Sequence, residues 1–261
     1  TSNGMNRSGT TYASWNWKAN GAGSANTDGS ISSTVSASAT SGFSIVSYTG
    51  TGANATVGHG LGSVPAMIIV KSRSVGDGWR VYHHKVSSDP ETDYLVLNNT
   101  NAVADSAGYW NDTAPTSSVF SLGTAGEVNT NGSTNIAYCF TEKQGYSKFG
   151  SYVGNNNTDG TFVYLGFKPA FIIVKPTSGT EHWTMYDNKR TGYNPTNYQL
   201  YPNLSSSEAT LSELDIVSNG FKIRSQTGRL NSSGVTMIYM AFAEQPLVAN
   251  SGSNGVPATA R

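Results

Sequence analysis

The chain has 261 residues, of which only 12 % are charged, and lysine plus arginine equal aspartate plus glutamate at 16 each. A net charge of zero argues against a nucleic-acid-binding protein, which needs a basic surface to contact phosphates. The apolar runs, such as those at 66–70 and 170–174, are far shorter than the roughly 20 residues of a membrane-spanning helix, which argues against membrane insertion.

The first predicted element is a strand at the N-terminus. Residues 12–18 (YASWNWK) resemble two later segments, 136–142 and 238–244, in which large and small side chains alternate as they do on the two faces of a strand. The later segments each close a repeat. The pattern therefore predicts that residues 1–18 are the last strand of an upstream β unit, and that the natural protein extends beyond this N-terminus.

A low-complexity segment follows. Within residues 19–41, 20 of 23 positions are Gly, Ala, Ser, Thr or Asn. Such a segment has too little apolar surface to offset the entropy lost on ordering, so it predicts a linker, with Ile31 and Val35 as the side chains that pin it to a neighbouring unit. Residues 248–261 have a similar composition and are predicted to form a loose tail.

An internal duplication relates residues 42–145 to residues 146–247. The segment 65–71 (PAMIIVK) recurs 104 residues later as PAFIIVK, and short β-branched and aromatic runs alternate with Gly, Asn and Asp clusters throughout. A repeat of about 100 residues has the size of one β-sandwich. The fold class is therefore predicted as all-β, with two tandem antiparallel β-sandwich domains after the stray strand and the linker. The same offset, or one of 102 near the end, relates SYTG (47–50) to SYVG (151–154), Trp79 to Trp183, Tyr82 to Tyr186, Lys85 to Lys189, Tyr94 to Tyr198, Phe140 to Phe242 and Glu142 to Glu244.

The closing strand of the first repeat has two unlike faces. Its large residues, Ile136, Tyr138 and Phe140, are predicted to fill a core, while Ala137 and Cys139 lie close against a neighbour. Cys139 is the single cysteine, so a disulfide within the chain is excluded, and we interpret it as a small buried residue. The recurring Trp79 and Trp183 are interpreted as core residues.

The distribution of ionisable residues predicts no catalytic, cofactor or metal site. Glycoside hydrolysis uses two carboxylates about 5–10 Å apart, and no such pair recurs in both repeats. Glu142 and Glu244 do recur, and we interpret them as strand-end acids that are solvated or bonded to a turn. His83 and His84 are adjacent on a strand and point to opposite faces, which disfavours joint metal binding.

Two loop segments are the predicted ligand-binding sites. They combine an aromatic residue with an amide or an acid, a pairing that suits sugars because the ring packs on C–H groups and the polar group bonds hydroxyls. The alternative is that such an aromatic, Trp110 above all, caps the end of the sandwich core. The candidate residues for contact with a glycan or host receptor are Tyr109, Trp110, Asn111, Asp112, Tyr193 and Asn194.

Longer motifs carry a family resemblance. The chain is similar, over about residues 12–247, to a repeat domain of tail-fibre-like structural proteins from marine tailed bacteriophages, cyanophages among them. The resemblance provides no catalytic or binding residues. The motifs that carry it are WNWK (15–18), GFSIVSYTGTG (42–52), VGHGLG (57–62), MIIVK (67–71), FGSYVGN (149–155) and IYMAFAE (238–244).

This resemblance implies a non-catalytic structural protein on the virion surface, in a tail fibre or spike, extracellular when assembled. It implies a homo-oligomer, a trimer by analogy, whose partners are other virion proteins and a host-surface glycan. Two alternatives stay open: a head decoration or head-fibre protein, and a polysaccharide depolymerase that acts during adsorption.

Overall fold

The computed structural model describes residues 7–190, 194, 196–244, 248–249 and 256–257. With 42 % strand and 5 % helix it confirms the all-β prediction. The helices within these residues are α1 (Ala107–Trp110), α2 (Gly126–Asn129) and α3 (Gly228–Asn231). The strands are β1 (Ser24–Asn26), β2 (Ser33–Ser38), β3 (Phe43–Thr49), β4 (Ala55–Gly58), β5 (Met67–Ser72), β6 (Arg80–His83), β7 (Asp93–Val96), β8 (Ala104–Asp105), β9 (Val119–Leu122), β10 (Thr134–Phe140), β11 (Ser147–Val153), β12 (Phe162–Tyr164), β13 (Pro169–Pro176), β14 (Thr184–Asp187), β15 (Thr196–Gln199), β16 (Ala209–Val217), β17 (Gly220–Ile223), β18 (Thr236–Ala243), β19 (Val248–Ala249) and β20 (Val256–Pro257).

Each repeat consists of a main sheet and a second sheet that faces it, and the paired strands are antiparallel. In the first repeat the main sheet has the order β1-β2-β3-β10-β5-β6-β7-β8, and β4 pairs with β9 opposite it. In the second repeat the main sheet has the order β11-β18-β13-β14, and the facing sheet has the order β12-β17-β16-β15. The order β3-β10-β5-β6 therefore corresponds to β11-β18-β13-β14, as two sandwiches from one duplication require.

Two matched sets of buried hydrogen bonds support the common topology. The Tyr48 hydroxyl donates to the Val128 carbonyl at 2.7 Å, and its counterpart Tyr152 donates to the Leu230 carbonyl at 2.8 Å. A buried asparagine follows each of these carbonyls. Its amide oxygen accepts from a loop N–H, that of Thr51 at 2.8 Å for Asn129 and that of Asn155 at 2.9 Å for Asn231. The asparagine pair was not predicted from the sequence.

The segment 19–41 differs from the predicted linker because it contains β1 and β2. Strand β2 pairs with β3 along its whole length, so backbone hydrogen bonds order a stretch that has little apolar surface. The two predicted pins are confirmed, since Ile31 and Val35 are buried in the first core at 6 % and 8 % exposure.

The N-terminal segment is also different from the expected strand. Residues 7–23 contain no strand, and Trp15 and Trp17 are half-buried against the apolar cluster between the repeats. Of the predicted unit 1–18, residues 1–6 lie outside the described part, as does most of the predicted tail 248–261. The repeat limits at 42–145 and 146–247 stay a prediction.

Three apolar cores stabilise the molecule. The first lies between the two sheets of the first repeat, around Trp110 and Phe120, and the second lies between the sheets of the second repeat, around Tyr186 and Phe221. The third, here named the joint core, lies between the two main sheets, which pack back to back. It includes Phe43, Met67, Leu95 and Phe140 of the first repeat and Phe149, Phe171, Trp183, Ile238, Met240 and Phe242 of the second.

The joint core explains the two-faced closing strands. Ala137 and Cys139 are fully buried in the first core, while Phe140 on the opposite face contacts the second repeat. Small residues thus face the core of their own sandwich, where rings from other elements fill the space. Trp183 is 1 % exposed in the joint core and its indole N–H donates to the Val96 carbonyl of the first repeat at 2.9 Å. Trp79 is half-buried and stacks on Tyr138.

Candidate functional site

The first predicted binding segment forms the short helix α1. Ser106 caps its first turn by accepting from the Gly108 N–H at 3.2 Å, and Asn111 ends it in the left-handed conformation with φ of 53°. This turn directs Tyr109 and Trp110 inward, where they are 7 % and 2 % exposed. The Trp110 indole N–H donates to the Asp93 carbonyl at 2.9 Å, so its ring serves the first core.

The polar half of the same segment lies at the surface. Asn111 is partly exposed and Asp112 is exposed, both with positive φ, which these two residue types tolerate better than most. The rings and the polar groups therefore lie on opposite sides of the backbone. The burial of Trp110 supports the core-capping alternative, and a glycan contact by the whole segment stays a prediction.

Replacement of Trp110 by phenylalanine tests this assignment. We expect Trp110→Phe to lower the free energy of unfolding by about 1–2 kcal/mol, because the partly buried Asp93 carbonyl loses its donor. Urea unfolding measures the change, with the exposed Asp112→Asn as a control expected to stay within about 0.5 kcal/mol of the wild type. A Trp110→Phe protein with wild-type stability would contradict a packing role for this indole.

An ion pair lies beside Tyr109 at the end of the first sandwich. The Arg80 Nη2 atom is 2.6 Å from Glu127 Oε1, and the Tyr109 hydroxyl donates to the same oxygen at 3.2 Å. The Arg80 guanidinium also lies 5.6 Å from the Tyr94 ring centroid. Burial disfavours the charge on Glu127, but the hydrogen bonds from Arg80, Tyr109 and the backbone, together with the charge of Arg80, outweigh it and hold the carboxyl pKa below its usual value. This carboxylate therefore stays ionised and bound.

The second repeat has a corresponding ion-pair network, in which the strand carries the acid and the helix carries the base. Glu213 of β16 pairs with Arg229 of α3, and Glu213 Oε2 also accepts from the Tyr186 hydroxyl at 2.8 Å. In the first repeat the arginine comes from a strand and the glutamate from a helix. Both networks join a strand of the sandwich to a short helix through a largely buried ion pair, which contributes to packing.

The second predicted binding segment is Tyr193-Asn194. Tyr193 lies outside the described residues. The Asn194 side chain binds the backbone of Ile216 in β16, because its Oδ1 accepts from the N–H at 2.8 Å and its Nδ2 donates to the carbonyl at 2.5 Å. The amide thus reproduces the two hydrogen bonds of an antiparallel strand pair. These two hydrogen bonds give Asn194 a structural role.

A surface groove lies between the N-terminal segment and the second repeat. It has a volume of about 1050 Å³ and is lined by residues 11–17, by the ends of β13, β14 and β18, and by Glu208. The Arg190 guanidinium carbon, Cζ, lies 6.0 Å from the Trp15 ring centroid. The exposed Tyr12 and the amide of Asn188 are further lining groups. Rings and polar side chains thus line one concave surface.

The charged groups of this groove are bound to one another. Arg190 contacts Asp187 at 2.6 Å, Glu208 at 2.9 Å and the Tyr198 carbonyl at 3.0 Å. The Asp187 carboxylate is buried and also accepts from the N–H groups of Lys189 and Arg190. Such a guanidinium and carboxylate hold the loop in place and have few hydrogen-bonding positions left for a ligand.

The recurring glutamates both bind structural partners. Glu244 contacts Lys168 at 2.8 Å and Lys189 at 3.6 Å, and the bond from Lys168 holds the pKa of Glu244 below its usual value. Glu142 accepts from the Phe149 N–H at 2.9 Å. A general acid for glycoside hydrolysis needs a raised pKa, so the environment of Glu244 is the opposite of what that role requires.

The cysteine and the histidine pair also face the interior. Burial raises the pKa of the Cys139 thiol to about 12, which makes it unreactive. The Nε2 atoms of His83 and His84 are bonded to the carbonyls of Tyr239 and Phe149, at 3.1 and 2.9 Å. Within the described ranges, no group of three or more His, Cys, Asp or Glu residues is placed to hold a metal ion, and no helix is long and apolar enough to cross a membrane.

Two sandwiches that share a joint core, with a mixed aromatic and polar groove beside it, define a double β-sandwich protein. The chain belongs to the family described as a domain of unknown function, DUF7483, whose match covers residues 1–246. Searches of curated proteins and of solved structures found no significant match.

Proposed function

We propose that the chain is a non-catalytic structural protein of a bacteriophage virion surface, of the tail-fibre or spike type, that contributes to host attachment. The resemblance described above gives the virion setting. The observation that carries the proposal is the joint core, which packs both repeats and the N-terminal tryptophans into one body. Such a body suits a component that holds binding surfaces at a fixed distance and orientation, outside the cell.

The use of charge supports a binding rather than a catalytic role. In the groove beside the N-terminal segment, Arg190, Asp187 and Glu244 are engaged in ion pairs with protein groups. A polar surface without net charge makes short-range contacts, and many copies on one particle multiply weak contacts into firm attachment. The proposed partners are other virion proteins, further copies of the chain in a trimer, and a host-surface glycan.

Competition for adsorption tests the proposal. Host cells incubated with the purified chain are expected to adsorb fewer phage particles, whereas cells incubated with a heat-denatured sample adsorb them normally. The chain incubated with host polysaccharide is expected to release no reducing ends. Release of oligosaccharides would overturn the non-catalytic assignment in favour of a depolymerase, and antibody labelling confined to the phage head would overturn the tail assignment.

A further inference from the structure

The two repeats differ at one side of the sandwich. In the first repeat, β2 covers the edge of β3, and Ile31 forms a bridge to Val57 of β4. The chain thereby closes the gap between the main sheet and the small sheet. The corresponding strands of the second repeat are β11 and β12, and among the described residues no strand covers β11 on this side.

The residue that follows the paired valine differs between β4 and β12, as expected if a segment covers only the first repeat. Val57 pairs with Phe120 as Val163 pairs with Phe221, so the following residues, Gly58 and Tyr164, are equivalent. A Cβ atom on Gly58 would lie 1.7 Å from Asn26 Oδ1, so only glycine leaves room for the covering segment. The second repeat has a tyrosine there instead, 61 % exposed.

Side chains take the place of a covering strand along most of the β11 edge. The Phe149 N–H donates to Glu142 and its carbonyl accepts from His84, each at 2.9 Å. The Val153 carbonyl accepts from the Thr161 hydroxyl at 2.9 Å. Ser151 lies between them, is exposed, and directs its backbone N–H and carbonyl the same way, because alternate residues of an edge strand do so. A complete strand cannot pair here, but one hydrogen-bonding pair remains accessible.

The cleft beside Ser151 combines aromatic rings with basic groups. Its volume is about 450 Å³. Phe162 and Tyr164, two residues apart on β12, are 44 % and 61 % exposed, and the Lys148 ammonium lies 5.6 Å from the Tyr164 ring centroid. His84 and Glu142, already bonded to Phe149, complete the polar lining together with Lys85.

We propose that this cleft binds an acidic saccharide, with a hexuronate residue as the recognised unit. The sugar packs its C–H face on the Tyr164 and Phe162 rings, its carboxylate pairs with the ammonium groups of Lys148 and Lys85, and a hydroxyl bonds the Ser151 backbone. The ring platform and the single accessible backbone pair favour a saccharide over a peptide strand, which needs a longer free edge. The inference rests on the proposed attachment role for the source of the saccharide.

Calorimetric titration of the full chain with trigalacturonate tests the site, with maltotriose as the neutral comparison. The wild type is expected to bind trigalacturonate more tightly than maltotriose. Tyr164→Ala is expected to weaken binding about tenfold through loss of the ring contact. Lys148→Gln is expected to reduce the preference for the acidic sugar, because Lys85 remains. Tyr12→Ala is the matched control, because this ring is 54 % exposed and lines the other groove.

Several results would overturn the inference. It fails if the wild type does not bind trigalacturonate, if Tyr12→Ala loses as much affinity as Tyr164→Ala, or if Tyr164→Ala binds at wild-type strength. Displacement of the sugar by a synthetic peptide of residues 24–38 would also overturn it, because that result would indicate a strand-binding site. The phage adsorption assay distinguishes a failure of this cleft from a failure of the proposed attachment role. Competition that Tyr164→Ala leaves intact overturns this cleft alone, and sugar binding without competition overturns the attachment role alone.

Discussion

Phe242→Ala is expected to lower the free energy of unfolding by about 3–5 kcal/mol, the usual cost of a large aromatic residue deleted from a packed core. Phe242 is 6 % exposed and lies at the centre of the joint core. Its ring contacts five other rings from both repeats and the N-terminal segment, those of Trp17, Phe140, Tyr146, Phe149 and Phe171. Because these contacts cross between the repeats, the loss affects both.

Calorimetry combined with urea unfolding measures the effect and its extent. The wild type and Phe242→Ala are each expected to unfold in one transition, at a lower midpoint for the variant. Phe140→Ala, the equivalent change in the first repeat, is expected to behave alike. Val153→Ala removes an exposed apolar residue from β11 and serves as the control. Two separate transitions, with only one moved by Phe242→Ala, would show that the joint core does not couple the repeats.

The second large effect is a loss of stability in mild acid, caused by His83. This imidazole is 1 % exposed and its Nε2 is bonded to the Tyr239 carbonyl of the other repeat. Burial, with the nearby His84 and Lys85, lowers the pKa of His83 to about 3, against about 6.5 in an unfolded chain. Between these values the unfolded state binds more protons than the folded state.

The contribution of His83 to stability is therefore complete above about pH 6.5 and decreases as the pH falls below it, by up to about 1.4 kcal/mol per pH unit. Urea unfolding at pH 7.0, 6.0, 5.0 and 4.5 measures this slope. His83→Gln can keep a donor for the Tyr239 carbonyl without titrating, and is expected to reduce the slope. The buried His59 keeps a share of it, because burial also lowers the pKa of that imidazole. His182→Gln retains His83 and is expected to retain the slope. An unchanged slope in His83→Gln would assign the acid sensitivity to other groups.

The duplication and the all-β class were predictable because matched residues recur at a constant spacing. Which core each strand face belongs to was not predictable, because the main strands are apolar on both faces and alternation alone cannot assign Phe140 or Ala137. The order of segment 19–41 was underestimated, because its composition indicates only how little apolar surface it has. Strand β2 is ordered by backbone hydrogen bonds to β3. The polar neighbours of Trp110 left both a ligand contact and a core-capping role open, and one helical turn places the ring in the core.

The cleft of the second repeat was hidden for a different reason. At the offset of 104, the counterpart of β2 is 137–142, which is largely the closing strand of the first repeat. A duplicated sequence therefore lacks a duplicate of its covering strand, and only the three-dimensional arrangement reveals the unlike edge. The exposed rings of Phe162 and Tyr164 carried no separate signal in the sequence.

Back-to-back packing also limits how this repeat can multiply. In a solenoid every unit offers one face to the unit before it and another to the unit after it, so the array can lengthen without end. Here the outer face of each main sheet packs against the other repeat, and its inner face is covered by the facing sheet of its own repeat. The pair is therefore self-terminating: a third copy would find no matching face, and growth into longer structures has to proceed through the rims of the sheets or through assembly of whole pairs.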